Sequence, residues 1–286
     1  MKEVRRFSLM NEKGEEYSLM DIENYCLLTS PSGFGYSYST NYERVGNTFV
    51  ENLRQLQQGQ ITGTINCLYY DNFKKLVDFI EKAKKLMLLY AIPYKSGTRE
   101  YLRDINIKDL TKTEIQVNGV ISETITFECL SLWYSKNVAQ YTIVPQEDEI
   151  RWNYKWDSRF TSYNSRSLHI KNDGHIEAPI ELSINGEVIN PVIELYVEGQ
   201  LVQEIPFTVR INQYERFLYC SKDNDFYVQK QNTDATKENL FNLDVIDFDN
   251  NNVLKIPPDK SCEIRLTADD DISNAEITVY IYYKAI

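Results

Sequence analysis

The chain has 286 residues, 42% of them hydrophobic and 26% charged, enough for two globular domains and too apolar for a disordered chain. Its 31 Lys and Arg stand against 42 Asp and Glu, a net charge of −11, which argues against gripping nucleic acid or anionic lipid. The longest apolar run, Leu86 to Ile92 ahead of Pro93, falls far short of the ~20 residues a membrane helix needs. No stretch near Met1 suits a secretory signal, so a protein made and kept in the cytoplasm unless assembly carries it out is expected.

Period-two alternation dominates in chain order. Phe7 to Leu9 and Tyr17 to Leu19 read as a short hairpin around Asn11–Gly14. Gly33 to Gln60 breaks the pattern, carrying Tyr36, Tyr38, Tyr42 and Phe49 between Gly and Asn without a core periodicity. Ile61, Ile65, Cys67 and Tyr69 then alternate with Thr62, Thr64 and Asn66. One helix is predicted over Asp71 to Leu86, where Phe73, Leu76, Val77, Ile80 and Ala83 recur three and four apart. Asp71 suits its N-cap, and lysines gather toward the C-terminal end of its dipole. Arg99 to Ile107 is a strand entered through a Pro93–Gly97 turn. Asn118-Gly119 separates Ile115 and Val117 from Ile121, Ile125, Phe127 and Cys129, a strong hairpin signal because both turn positions need positive φ.

From Ser135 to Ser165 the periodicity fades. Pro145, the acidic cluster Glu147–Glu149 and the aromatics Trp152, Tyr154, Trp156 and Tyr163 suggest an inter-domain connection with some order. Strands resume at Ile180, Leu182 and Ile184 before Asn185-Gly186, then over Val192–Val197, Leu201–Val209, Phe217–Cys220 and Val253–Ile256. Cys262, Ile264 and Leu266, then Ile277, Val279, Ile281 and Tyr283, close the chain. Charge divides it the same way: Met1–Val144 holds 17 basic and 17 acidic residues, Pro145–Ile286 14 and 25. The expectation is a mainly β protein of two β-sandwich domains, the first flanked by one helix, over 1–140 and 166–286 with a connection over 141–165.

Reaction chemistry is sparse. The five cysteines are scattered and odd in number, and Cys67, Cys129 and Cys262 fall on the apolar side of strands, as buried free thiols do. His169 and His175 flank an Asn172-Asp173-Gly174 turn with no third zinc ligand in spacing. Gly59 to Thr64 has no lysine for a phosphate loop, and no Gly-x-Ser-x-Gly elbow occurs. Asp247, Asp249 and Asn251 resemble a calcium loop, but Asn252 replaces the turn glycine and Pro258 the bidentate glutamate. Asp269 to Asp271 reads as a solvated loop tip. No catalytic set, metal or cofactor is expected, which favours a structural or binding role.

The order of motifs is similar to that of the siphophage distal tail protein family. The resemblance is carried by Phe7–Leu19, by Pro31-Ser32-Gly33-Phe34-Gly35, by Gly63-Thr64-Ile65 and by the Tyr70-Asp71-Asn72-Phe73 helix entry. Leu88-Leu89-Tyr90, Tyr101-Leu102-Arg103-Asp104, Leu110-x-Lys112-x-Glu114 and Phe127 to Tyr134 continue it. Asn172-Asp173-Gly174, Ile184-Asn185-Gly186 and Asn190-Pro191 extend it into the second half. The resemblance implies a tail-tube-like first domain in a hexameric ring and a galectin-like or carbohydrate-module-like jelly roll as the second. It implies a virion protein, assembled in the host cytoplasm, that joins the tail tube to tail-tip, tail-associated lysin and receptor-binding proteins and leaves a channel for DNA. In tube-like folds a long hairpin reaches over the neighbouring subunit. Tyr36, Tyr38, Tyr42 and Phe49 are then candidate oligomer-interface anchors, the alternative being that they complete their own sandwich. Two other functions compete. A carbohydrate-binding tail protein would contact the cell wall through Trp152, Trp156 and Tyr163, and a peptidoglycan-cleaving enzyme would need a catalytic constellation that the sequence does not display.

Overall fold

The computed structural model describes residues 5–20, 25–95, 97–142, 166–242, 244–246, 252–270, 272 and 274–286. The chain forms two compact units, Met1–Ser135 with Tyr282–Ile286, and Lys136–Ile281.

The first unit opens with β1 (Arg6–Asn11), β2 (Glu16–Ser18), β3 (Cys26–Ser32), β4 (Tyr38–Val45), β5 (Thr48–Leu56) and β6 (Gln60–Leu68). Helix α1 (Tyr70–Lys82) leads to β7 (Leu86–Tyr94), β8 (Gly97–Leu110), β9 (Val120–Cys129) and the start of β10 (Trp133–Thr142), which runs on into the second unit. All pairings are antiparallel. One run is β2–β1–β7–β8 and the other β3–β6–β9, and the 14-residue β8 serves both. Its first part pairs with β7 as far as Ile105, after which residues up to Leu110 pair with β9. Alternation sends Phe7, Leu9, Ile61, Ile65, Leu88, Ile105, Ile121, Ile125 and Phe127 into the core.

Helix α1 buries Phe73 and Leu76 and packs on β6 and β3. Its limits differ from the sequence expectation. Tyr69 is the N-cap, and Asp71 lies inside the first turn, where Asn72 Nδ2 donates to the Leu68 carbonyl at 2.6 Å. At the other end Ala83 is already extended, and the Lys84 and Lys85 amides donate to Glu12 Oε2 at 3.0 and 3.3 Å. A hydrogen bond from its own backbone amide, helped by those from Lys85 and Lys84, holds the Glu12 carboxyl below its ordinary pKa. Leu86 to Ile92 is therefore strand, because pairing with both β1 and β8 makes this apolar run an interior strand. The expected free thiol at Cys67 is also corrected: it is disulfide-bonded to Cys26, directly opposite it in the β3–β6 register with the Cα atoms 4.2 Å apart. Cys129, Cys220 and Cys262 are free and buried, and burial pushes each thiol up.

The second unit comprises β11 (Arg166–Lys171), β12 (Ala178–Asn185), β13 (Val188–Ile189), β14 (Val192–Val197), β15 (Gln200–Pro206), β16 (Arg210–Ile211) and β17 (Arg216–Cys220). It continues with β18 (Tyr227–Gln231), β19 (Lys237–Asn239), β20 (Lys255–Ile256), β21 (Ser261–Thr267) and β22 (Asn274–Tyr283). One antiparallel sheet runs β19–β18–β17–β12–β22, another β11–β21–β14–β15. Ile180, Leu182, Ile184, Phe217, Ile277 and Val279 of the first, and Ile193, Leu195, Ile264 and Leu266 of the second, are buried. The Asn185-Gly186 turn is present, with Gly186 at φ 95°. His169 lies exposed on β11, and the turn before His175 is built on the buried Asn172, whose Oδ1 accepts from the Gly174 amide at 2.9 Å.

Strand β10 continues to Thr142, so ordered strand occupies the start of the segment whose periodicity fades. The remainder of that segment, with Trp152, Trp156 and Tyr163, lies outside the described residues, as do Asp247, Asp249 and Asn251.

Candidate interaction site: an uncovered hairpin arm

Among the described residues, strands β4 and β5 pair only with each other, as a two-stranded ribbon. Gly46 at φ 62° and Asn47 make its two-residue turn, the position where a type II′ hairpin turn requires glycine. Asn41 pairs with Leu53 and Tyr42 with Glu51, so Asn52 is an extra residue that bulges the ribbon and donates to Glu43 Oε2 at 3.0 Å. Because of that bulge, one face carries Tyr38, Tyr42, Phe49, Arg54 and Leu56, and the other Val45, Val50 and Leu53.

Every side chain of β5 is exposed, and so is β4 from Asn41 onward. Phe49 near the tip has 71% of its surface free, and Tyr42, Val45 and Leu53 each more than half. Apolar groups on both faces of one ribbon, left bare by the described residues, are what an unassembled docking element shows. The arm carries two Glu and two Arg, so it is electrically balanced.

Its root is the opposite, tightly held. Trp133 Nε1 donates to the Phe34 carbonyl at 3.1 Å, and Phe34 stacks against Phe7 and Tyr90 with ring centres 5.7 and 5.3 Å away. Arg103, almost fully buried, lies 5.4 Å from the Trp133 ring and donates through Nε to the Ser131 carbonyl at 2.9 Å. Burial lowers its pKa. Gly33, at φ 94°, passes so close to Gln60 that a Cβ would sit 2.0 Å from the carbonyl oxygen. Gln57 N–H closes the base on the Ser37 carbonyl at 2.9 Å. A fixed root thus aims a bare ribbon.

The four residues singled out from sequence fall on or beside this arm. Tyr36 precedes β4 and meets Tyr38 edge-on at 5.4 Å, and Arg54 caps Tyr38 at 4.1 Å. Tyr38, Tyr42 and Phe49 share one face. The second face was missed, although apolar residues at both parities of β5 (Phe49 and Val50) signal a strand wet on both sides.

Residues 6–130, which include the arm and most of its root, match the family model described as distal tail protein, N-terminal domain. The first unit is therefore similar to the N-terminal domain of distal tail proteins. It is 27% identical over 140 residues to the distal tail protein of Lactococcus phage SK1 and 26% identical over 140 residues to that of Lactococcus phage p2. Each alignment takes in 46% of this chain and 46% of the relative, so it spans about half the length of these curated proteins. In fold the likeness is longer. A chain of the phage p2 baseplate in its activated conformation superposes over 99% of this chain and all of its own length, with a TM-score of 0.66 at 19% identity. The phage SPP1 Dit protein, described as a paradigm of a hub adsorption apparatus, covers 96% of this chain and 98% of its own, with a TM-score of 0.56 at 11% identity.

Proposed function

We propose that this chain is the hub subunit of a phage tail, a passive architectural ring of six copies that joins the tail tube to the tail-tip proteins and leaves a channel for DNA. The observation that carries the reading is the arm. A two-stranded ribbon is marginal on its own in water, so a 19-residue arm from Tyr38 to Leu56 with both faces bare needs a partner to cover it. Head-to-tail contacts of one arm on the next subunit close into a ring when their rotation divides a full circle. Equal numbers of basic and acidic residues in Met1–Val144 suit a channel that DNA crosses without being held. The second unit, with its two antiparallel sheets, is read as an outward galectin-like sandwich. The alternative, saccharide contact through Trp152, Trp156 and Tyr163, falls on residues outside the described ones.

The test is light scattering with negative-stain imaging of the purified chain and of Phe49→Asp. Rings from the parent and folded monomers from the variant are expected. Rings from both would remove the arm from the interface, and a parent that stays monomeric at hundreds of micromolar would remove the ring.

A further inference from the structure

We infer that the arm's landing site is an exposed aromatic patch on a second copy of this chain, at the far end of the strand pair from which the arm springs. The inference rests on the ring reading and deepens it by naming the acceptor.

The patch gathers from three places in the first unit. Tyr25 precedes β3, Tyr69 and Tyr70 form the junction of β6 with α1, and Ile115 and Val117 precede the Asn118-Gly119 turn. Backbone hydrogen bonds tie them together: Leu68 N–H to the Tyr25 carbonyl at 2.9 Å, and Tyr69 N–H to the Gly119 carbonyl at 2.8 Å. The Tyr69 ring lies against Gly119, where a Cβ would come within 3.0 Å of it, and Lys112 Nζ stands 5.3 Å from the Tyr70 ring. All five side chains are exposed, Val117 completely. Outside the arm, this is where the large exposed apolar side chains of the first unit concentrate.

Tyr69 is also strained. Its φ of 62° and ψ of 153° fall in a region that is essentially reserved for glycine. The protomer gains little burial in return, since 60% of the residue is exposed. A backbone strain that presents an aromatic ring to solvent is explained if the ring has a partner in the assembly.

Placement identifies that partner as another copy. β3 and β6 are antiparallel, with Cys26 opposite Cys67 at the patch end and Ser32 opposite Thr62 at the arm end. The two ends are roughly 20 Å apart at about 3.3 Å per residue. Donor and acceptor at opposite ends of one body are what a head-to-tail contact between unlike surfaces requires. The arm itself is large enough: its 19 residues approach the roughly 20–30 per side of a standard interface. The arm is neutral and the patch mainly aromatic and aliphatic, so apolar burial dominates the contact.

The decisive experiment is complementation with full-length chains. One variant, Val117→Asp with Tyr70→Ser, keeps the arm and loses the patch; the other, Phe49→Asp with Leu53→Asp, keeps the patch and loses the arm. Each alone should be a folded monomer by circular dichroism, its self-association weakened at least about 100-fold. Mixed, they should form a capped 1:1 heterodimer, because one intact contact remains. Tyr69→Gly supplies a second readout: its protomer should melt at the same temperature or higher while its assembly weakens, which separates a docking role from a structural one. A parent that forms rings together with a patch variant that also does would overturn the acceptor and leave the ring standing. A parent that never assembles overturns both.

Discussion

The Cys26–Cys67 disulfide should account for much of the stability of the first unit, and only of that unit. The bond closes a loop with a sequence separation of 41 that contains β3, the whole arm and β6. Restricting that loop in the unfolded chain lowers its entropy by about 13 cal/mol/K, or roughly 4 kcal/mol at 25 °C, on the chain-entropy account. Spread over the 140 residues of the first unit at about 2.1 cal/mol/K each, this is a fall of roughly 13 °C in melting temperature on reduction. The free thiols Cys220 and Cys262 in the second unit carry no such constraint, so its transition should stay in place. Calorimetry with and without dithiothreitol measures both, on protein purified without reductant because cytosolic thiols are kept reduced. Alkylation of the denatured, unreduced chain should label three of the five cysteines. Five labelled cysteines, or an unchanged first transition after complete reduction, would refute the assignment.

Three positions give sharper local tests. Tyr17 is 8% exposed and its hydroxyl has no partner among the described residues, so Tyr17→Phe should stabilise the first unit by about 1 kcal/mol in urea titrations at pH 7. Burial pushes its pKa up to about 12, against about 10 when unfolded. A folded pKa above the unfolded one gives stability that is complete below pH ~10 and lost as pH rises toward ~12, here roughly 2–3 kcal/mol. Tyr17→Phe should therefore show a shallower alkaline loss than the parent, and equal slopes would contradict the burial argument. Ser8, buried with an Oγ that has no partner among the described residues, should tolerate Ala with no loss of stability, which the same titration checks. Gly33→Ala should cost about 2–4 kcal/mol, because both its positive φ and the Gln60 carbonyl oppose a Cβ; a loss below 1 kcal/mol would mean that the arm root is loose.

Legibility from sequence followed one-sided burial. β9 could be read because Ile121, Ile125, Phe127 and Cys129 face the core while Ser122, Thr124 and Thr126 do not, and β12, β21 and β22 announce themselves in the same way. The centre of α1 was readable for the equivalent reason at period 3.6, but its end was not. Leu86 to Ile92 continues an apolar run whose strand character depends on neighbours β1 and β8, 75 or more residues upstream and 7 to 19 downstream in the register. The disulfide depends on register too, since neither strand alone shows that Cys26 faces Cys67. The arm was visible only as a loss of pattern, because a ribbon wet on both faces has no inside to impose period two. Its root was invisible: Trp133 reaches Phe34 across 99 residues, and no local signal announces such a bond.

If a neighbouring copy covers the arm, as proposed, assembly becomes part of its folding. Fixing the backbone of 19 residues costs on the order of 20 kcal/mol at roughly 1 kcal/mol each. The ribbon's own hydrogen bonds offset part of that, and burial of Tyr42, Val45, Phe49, Val50 and Leu53 against a neighbour offsets more. In a head-to-tail ring the closing contact forms between subunits already held by the others, so it adds interaction energy without another loss of translational freedom. Closed rings should then outcompete open chains as soon as the contact is strong enough to form at all. Mass photometry across a dilution series should find two populations, protomer and closed ring, with dimers and trimers scarce. A smooth ladder of open oligomers would mean that the contacts act independently and that their rotation does not close.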